Sequence, residues 1–302
     1  MKYNEDYEVA IVGGSFAGLS AAMALGRSLR KTLIIDGGQP CNQQTPQSHN
    51  FITHDGEAPL AILTKARQQV LSYSTVTFKS GLVTQVLKHT EGFEVTTDDG
   101  LVVVVKKILF ATGVRDIMPS LKGFASCWGI SVLHCPYCHG YEVRSKATGI
   151  FAKGEVAIDF AKIIKHWTKN LTVFTNGDGE LTDEQKELLD KWGVGLNEKP
   201  IVELTHQAGY VQHLVFSDGT TTSVEAIYAR PPYEQYCPIP LLLGCEVSET
   251  GHLVVDQLQK TSVTGVYAAG DNTTPFRAVS IAVAAGTKAG AMINMELIEE
   301  SS

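Results

Sequence analysis

Short apolar runs bounded by glycine or polar turns alternate along the chain with stretches of helical periodicity. Glu8–Val12 reads as a buried strand, and a glycine-rich turn follows. Leu19–Leu29, rich in Ala and Leu, predicts a helix, and Thr32–Asp36 the next strand. Leu60–Tyr73 predicts a helix, with strands at Val76–Phe78 and Leu82–Leu87. Phe93–Thr97 and Leu101–Val105 flank the turn Asp98-Asp99-Gly100 and predict a hairpin. Lys107–Phe110 then runs into Ala111-Thr112-Gly113. Near residue 117 the organisation changes. A second strand–turn–helix–strand series covers Ala147–Phe151, a helix to about Thr168, and Leu171–Phe174. It continues through an amphipathic helix at Glu180–Trp192, strands at Val202–Leu204 and Val211–Phe216, a turn at Asp218-Gly219, and a closing strand at Val224–Tyr228. Beyond 237 the first pattern returns, with the strand and turn Val263–Asp271 and a long Ala-rich helix at Val279–Ile298.

The first glycine turn, Gly13-Gly14-Ser15-Phe16-Ala17-Gly18, sits between a strand and a helix, and Asp36 closes the following strand. That is the arrangement a dinucleotide needs. Gly13 permits the tight turn, a small residue at position 15 lets backbone approach a pyrophosphate, and Gly18 lets the helix pack on the strand. The helix N-terminus then offers its unpaired N–H groups to phosphate, and Asp36 accepts hydrogen bonds from a ribose diol. Ser15 stands where the fingerprint usually has its second glycine. The predicted fold class is α/β, with two nested Rossmann-like domains. The outer, discontinuous domain takes 1–116 and 238–302. The inserted, smaller domain takes 117–237.

Composition narrows the function. The chain has 302 residues, 44% of them hydrophobic and 19% charged, and a net charge of −7 with no long basic run. This argues against nucleic acid or an acidic membrane surface as partner. The start at Asn4-Glu5-Asp6 is not expected to be a signal peptide, and no uncharged apolar run reaches the roughly 18 residues of a membrane span. Six cysteines, of which only Cys135 and Cys138 are closely spaced, do not form a secreted disulfide framework. A cytoplasmic location is expected. There, a CxxC pair is catalytic or metal-binding. As zinc ligands, His134, Cys135, Cys138 and His139 are too closely spaced to wrap one tetrahedron, and no second CxxC exists. An inert buried pair is the other alternative. The favoured reading is a redox pair and no metal, with Cys41, Cys127, Cys237 and Cys245 as ordinary thiols.

The glycine turn, Ala111-Thr112-Gly113, the mid-chain CxxC and Ala269-Gly270-Asp271 occur in the order found in low-molecular-weight thioredoxin reductases, which the whole chain resembles. The run Cys135-Pro-Tyr-Cys-His-Gly-Tyr-Glu142 resembles more closely the subgroup of dithiol oxidases that close disulfides in gliotoxin and holomycin. The resemblance implies FAD and a homodimer. It implies that Cys138 lies against the flavin and that Cys135 exchanges with a substrate dithiol. His139 stands where thioredoxin reductases carry an aspartate, and its near-neutral pKa suits it to take and return a thiol proton. Asp271 would hold the ribityl or phosphate end of the flavin, and Gly37 and Gly270 belong to the same binding turns. Asn50 is expected beside the isoalloxazine, in a polar loop that would cover it. The helix start near Ser280–Ile281 would face the flavin edge that becomes negative on reduction.

A nicotinamide cofactor is doubtful. The second turn reads Ala152-Lys153-Gly154-Glu155-Val156-Ala157, with alanine for the first glycine and an acid near the phosphate position. The loop after Leu171–Phe174 has no arginine for a 2′-phosphate, although Asp178 is placed to serve a 2′-hydroxyl. The expected activity is therefore oxidation of, or exchange with, a small-molecule or peptide dithiol. The alternatives are a thioredoxin reductase driven by NAD(P)H or by a donor such as ferredoxin, and a non-enzymatic flavin-bearing redox sensor.

Overall fold

The structure, a computed structural model, describes residues 7–302. The acidic start at Asn4–Asp6 lies outside these described residues. Two compact units share the chain. The first takes 7–43, 59–115 and 233–302, and the second takes 44–58 and 116–232.

The first unit is built on a parallel five-stranded sheet. Its order is Val266–Ala268, Lys107–Phe110, Val9–Val12, Thr32–Asp36 and Val76–Ser80. Ala10, Ile11, Ile34 and Ile108 are fully buried, as expected of parallel strands covered on both faces. The helix after the glycine turn is Phe16–Arg27, not Leu19–Leu29. Phe16 and Ala17 are already helical and buried, so the turn consumes fewer residues than its glycines suggest. This helix packs on the C-terminal helix, Val279–Glu299. Gly286 and Gly290 make the approach possible, since a Cβ there would stand 2.0 Å from the Ala17 carbonyl oxygen and 2.5 Å from that of Ala21. By length and composition alone, this C-terminal helix is the one helix among the described residues able to cross a membrane.

An antiparallel sheet of Val83–His89, Gly92–Thr97 and Val102–Val105 adds Phe93, Val95, Val103 and Val105 to the same core. A two-stranded pairing of Val114–Asp116 with Tyr233–Gln235 is a finding the sequence did not anticipate. Both strands are too short to show a period. Arg115 pairs with Glu234 across it.

The second unit has its own parallel sheet, ordered Gly195–Asn197, Leu171–Phe174, Thr148–Phe151, Ala226–Ala229 and Val132–Leu133. An antiparallel sheet of Ile201–Gln207, Tyr210–Phe216 and Thr221–Ser223 accompanies it. The amphipathic helix begins at Asp183 because Thr182 and Gln185 form a capping box. Glu180, expected inside the helix, instead has a left-handed backbone with φ 53°. The preceding helix ends at Ile164, short of Thr168.

The division differs from the expected one in three places. Residues 233–237 belong with the first unit, and Asp116 and Gln44–Ala58 belong with the second. The last of these matters most. The segment closes on itself through Ser48 and Glu57, sets Thr45 at Gly129, and brings His49 to Glu142. Those contacts are distant in sequence and left no local pattern.

One buried ionic cluster ties the first unit together. Lys107, 4% exposed, donates to Glu296 and Glu300, and Lys260 and Tyr267 also donate to Glu296. Burial alone would push the Glu296 carboxyl up, but the bonds from Lys107, Lys260 and Tyr267 outweigh it and bring it to about 2. Removing one partner of such a pair leaves charge uncompensated. Glu296→Gln is expected to cost up to about 3 kcal/mol at pH 7, the lower end of the range for a broken buried pair, because Lys107 keeps Glu300. A carboxyl held below its unfolded value stabilises fully above that value and loses the contribution as pH falls toward its folded value. The gap between wild type and Glu296→Gln in denaturant unfolding should therefore close as pH falls from about 4.5 to about 2.

Candidate active site

Cys135 and Cys138 are joined in a disulfide. They sit on a single helical turn, Pro136–His139, in the second unit. Pro136 occupies the first helical position, where its missing N–H costs nothing. The Cys138 N–H donates to Cys135 Sγ at 3.1 Å, a contact that favours a thiolate on Cys135 when the bond is open. With the two sulfurs bonded to each other, neither is available as a thiolate ligand to zinc in this form. Gly140 follows with no room for a side chain: a Cβ would meet the Pro136 carbonyl oxygen at 2.4 Å and the Trp167 indole at 2.9 Å. Trp167 also takes Tyr137 edge-on, with ring centroids 5.8 Å apart. Tyr137 within this turn and Tyr141 just after it are exposed. His134 lies against Trp128.

His139 ends the turn. Burial lowers its pKa first, the neighbouring His49 lowers it further, and Glu142 opposes both. The imidazole is thereby kept neutral at physiological pH, the form that accepts a proton. Cys127, Cys237 and Cys245 are buried, and burial raises each thiol's pKa, so they are not poised for exchange. Cys41 is exposed and lies 3.6 Å from Asp271.

The first unit gathers the expected dinucleotide-binding residues. Gly13 has φ 105°, and a Cβ there would fall 2.3 Å from the Ala111 carbonyl oxygen. The Gly14 N–H donates to Asp36 at 2.9 Å. Arg67 pairs with the other Asp36 oxygen and stacks over Phe78. A carboxylate still has acceptor sites left for a ribose diol. No side chain caps the helix that Ser15 precedes, so its first amides face outward for phosphate. Gly18 touches the Gly13 backbone, and Gly37 leaves space that Leu82 fills. Gly113 and Gly270 hold left-handed turns at φ 64° and 97°. Between them, Thr112 Oγ1 and Asn272 Oδ1 are buried without a hydrogen-bond partner. Orphaned buried polar atoms beside an uncapped helix start and a tight glycine turn fit the polar ends of FAD.

Asp271 is paired with Arg277 at 3.6 Å. Ser280 and Ile281 lie in the first turn of Val279–Glu299, whose N-terminus also has no side-chain cap. Asn50 belongs to the second unit, where it is exposed at φ 59° and its N–H donates to Asp55 at 2.8 Å. Sequence reasoning missed Asn272, although it directly follows the Ala269-Gly270-Asp271 motif, and missed Trp167 and His49, which carry no local signal.

The second glycine turn is tied in part by its own chain. The Gly154 N–H donates to the Gly179 carbonyl at 2.8 Å. Glu155 occupies the first turn of the helix and accepts from Gln185, and Lys153 pairs with Glu180. Asp178, the candidate for a 2′-hydroxyl, accepts the Glu180 N–H. The Gly154 amide is used internally, and a carboxylate stands at the helix start where phosphate charge would lie, although no side chain caps this helix either.

The geometry is that of a flavin enzyme with a redox-active disulfide. The chain belongs to the pyridine nucleotide-disulphide oxidoreductase family, whose pattern matches residues 7–286. It is a thioredoxin reductase-like oxidoreductase, in a family that binds FAD. Its relatives include thioredoxin reductase sirT of Leptosphaeria maculans, 33% identical over 313 residues covering 97% of this chain and 94% of that one. Thioredoxin reductase tcpT of Claviceps purpurea is 31% identical, covering 97% and 95%. Among solved structures, an oxidoreductase from Agrobacterium tumefaciens is 33% identical with a TM-score of 0.90, covering 98% and 99% of the two chains. HlmI is 28% identical with a TM-score of 0.92, covering 100% and 95%.

The two sites are separable by substitution. Gly13→Ala should yield protein that loses its flavin on desalting but keeps the Cys135–Cys138 bond. Gly140→Ala should retain flavin while dithiol-driven bleaching slows roughly a hundredfold, the cost typical of a misplaced reacting group. Flavin absorbance after desalting and anaerobic stopped-flow with a dithiol check both.

Proposed function

We propose that this protein is a dithiol oxidase: it closes a disulfide in a small-molecule or peptide dithiol and passes the electron pair through Cys135–Cys138 to FAD, with oxygen as the final acceptor. The acidic start of the second unit's helix, where Glu155 stands at the phosphate position, carries this reading. Electrons then enter from the substrate instead of a nicotinamide. The eight positions from Cys135 to Glu142, shared with the dithiol-oxidase subgroup, support it as well.

In this mechanism a substrate thiolate attacks Cys135 Sγ, the Cys135–Cys138 bond breaks, and Cys138 leaves as a thiolate. The second substrate thiol attacks its partner sulfur, the substrate disulfide closes, and Cys135 leaves in turn. The bond from Cys138 N–H to Cys135 Sγ steadies that leaving charge. His139 takes the proton from each substrate thiol and releases it to the cysteines or solvent. Exposed Tyr137 and Tyr141 offer apolar faces beside the sulfurs. Gly13–Gly18, Asp36, Gly37, Thr112, Gly113, Gly270, Asp271 and the start of the Ser280–Ile281 helix would hold FAD. Bound FAD supplies the two-electron acceptor that restores the disulfide.

A second reading, a thioredoxin reductase fed by NAD(P)H or ferredoxin, is favoured by the names of the relatives above. We further propose a cytoplasmic homodimer with no membrane or nucleic-acid partner. The buried thiols of Cys127, Cys237 and Cys245 support a reducing location, family resemblance supports the dimer, and the packing of the C-terminal helix on Phe16–Arg27 supports a non-membrane role for it. An anaerobic flavin titration separates the readings. Dithiothreitol should bleach the flavin and NADPH and NADH should not, with peroxide appearing in air. Rapid bleaching by NADPH with transfer to thioredoxin would favour the reductase.

A further inference from the structure

The redox motif supplies one histidine beside the sulfurs, and the fold brings a second from far upstream. His49 lies in Gln44–Ala58, inside the second unit. The loop holding it is tied by Ser48 N–H to the Glu57 carbonyl at 2.8 Å, Gly56 N–H to the Ser48 carbonyl at 2.9 Å, and Asn50 N–H to Asp55 at 2.8 Å. The His49 side chain is only 14% exposed. Its Nδ1 is 3.5 Å from Asp55 Oδ1, and its Nε2 is 3.6 Å from Glu142 Oε1. Its ring stands perpendicular to that of His139, with centroids 6.2 Å apart. Each ring nitrogen of His49 thus faces a carboxylate oxygen, and the ring as a whole faces His139.

We propose that His49, braced by Asp55 and Glu142, is a positioning residue that sets the proton occupancy of His139. The inference rests on the reading above that His139 serves the cysteine chemistry. The groups bearing on His139 are the Cys135 and Cys138 sulfurs, His49 with Asp55 behind it, and Glu142, which also faces the buried Tyr228 hydroxyl. A charge on His49 disfavours a second proton on His139, and Glu142 favours it. Their balance decides whether His139 is an empty base when a substrate thiol arrives.

The two neighbours therefore act with opposite sign. In the oxidised holoenzyme, titrated by NMR at the His139 ring carbon, His49→Gln should raise the His139 midpoint. The expected rise is about half a pH unit or more, the size of a unit-charge interaction in water at the 6.2 Å separation. Glu142→Gln should lower the midpoint. The acid limb of dithiol-driven flavin reduction should move the same way in each variant, to higher pH for His49→Gln and lower for Glu142→Gln. A purely structural histidine would slow the reaction without moving either curve. An unchanged His139 midpoint in folded His49→Gln, or a shift of the same sign in both variants, overturns the proposal. His49→Asn replaces His49→Gln if the latter does not fold, and Glu142→Gln decides through its own sign if neither does. If no dithiol reduces the flavin, the proposed function fails, while the NMR midpoints still decide the role of His49.

Discussion

A single helical turn, tightly packed at its end, carries the chemistry of this protein. The Cys135–Cys138 bond spans Pro136–His139, and Gly140 is wedged between the Pro136 carbonyl and the Trp167 indole. Proline at the start fixes the backbone entry, and the glycine at the end admits the tryptophan. The backbone that carries the sulfurs is therefore fixed at both ends of the turn. A catalytic pair must be pre-placed in this way, because the cost of finding the right arrangement is met in folding and not at each turnover. His139 shares the turn and so keeps its place relative to both sulfurs.

The two glycine turns show how one motif yields opposite outcomes. At Gly13 the following helix is uncapped, Asp36 has acceptor sites to spare, and Thr112 and Asn272 leave buried polar atoms unsatisfied. Such a site is incomplete by itself, and a dinucleotide completes it. At Gly154 the amide already has the Gly179 carbonyl, and Glu155 with Gln185 occupies the helix start. That turn presents negative charge where a phosphate would sit. The second unit keeps the parallel sheet of a nucleotide fold while serving as the mount for the disulfide.

Much of this was legible in the sequence. Parallel strands buried on both faces declare themselves as apolar runs, and the glycine spacing marked the turn between Val9–Val12 and Phe16–Arg27. Element ends were less legible. The helix at Phe16 starts inside the glycine turn, and Thr182, not the earlier Glu180, caps the amphipathic helix. The location of Gln44–Ala58 was not legible at all. It is a polar loop in sequence between two elements of the first unit, yet its partners Gly129, His139 and Glu142 lie in the second. Asn50 and His49 went with it. No local period encodes a loop whose specificity rests on distant side chains, and the same holds for the pairing of Val114–Asp116 with Tyr233–Gln235.

The central claim is that substrate electrons reach the flavin only through the Cys135–Cys138 pair. Counting electrons tests it most directly. Under anaerobic titration with a small dithiol, the wild type should consume one equivalent to open the disulfide and a second to bleach the flavin, and Cys135→Ser with Cys138→Ser should leave the flavin oxidised. Bleaching of the double variant at the wild-type rate, by a single equivalent, would contradict the account.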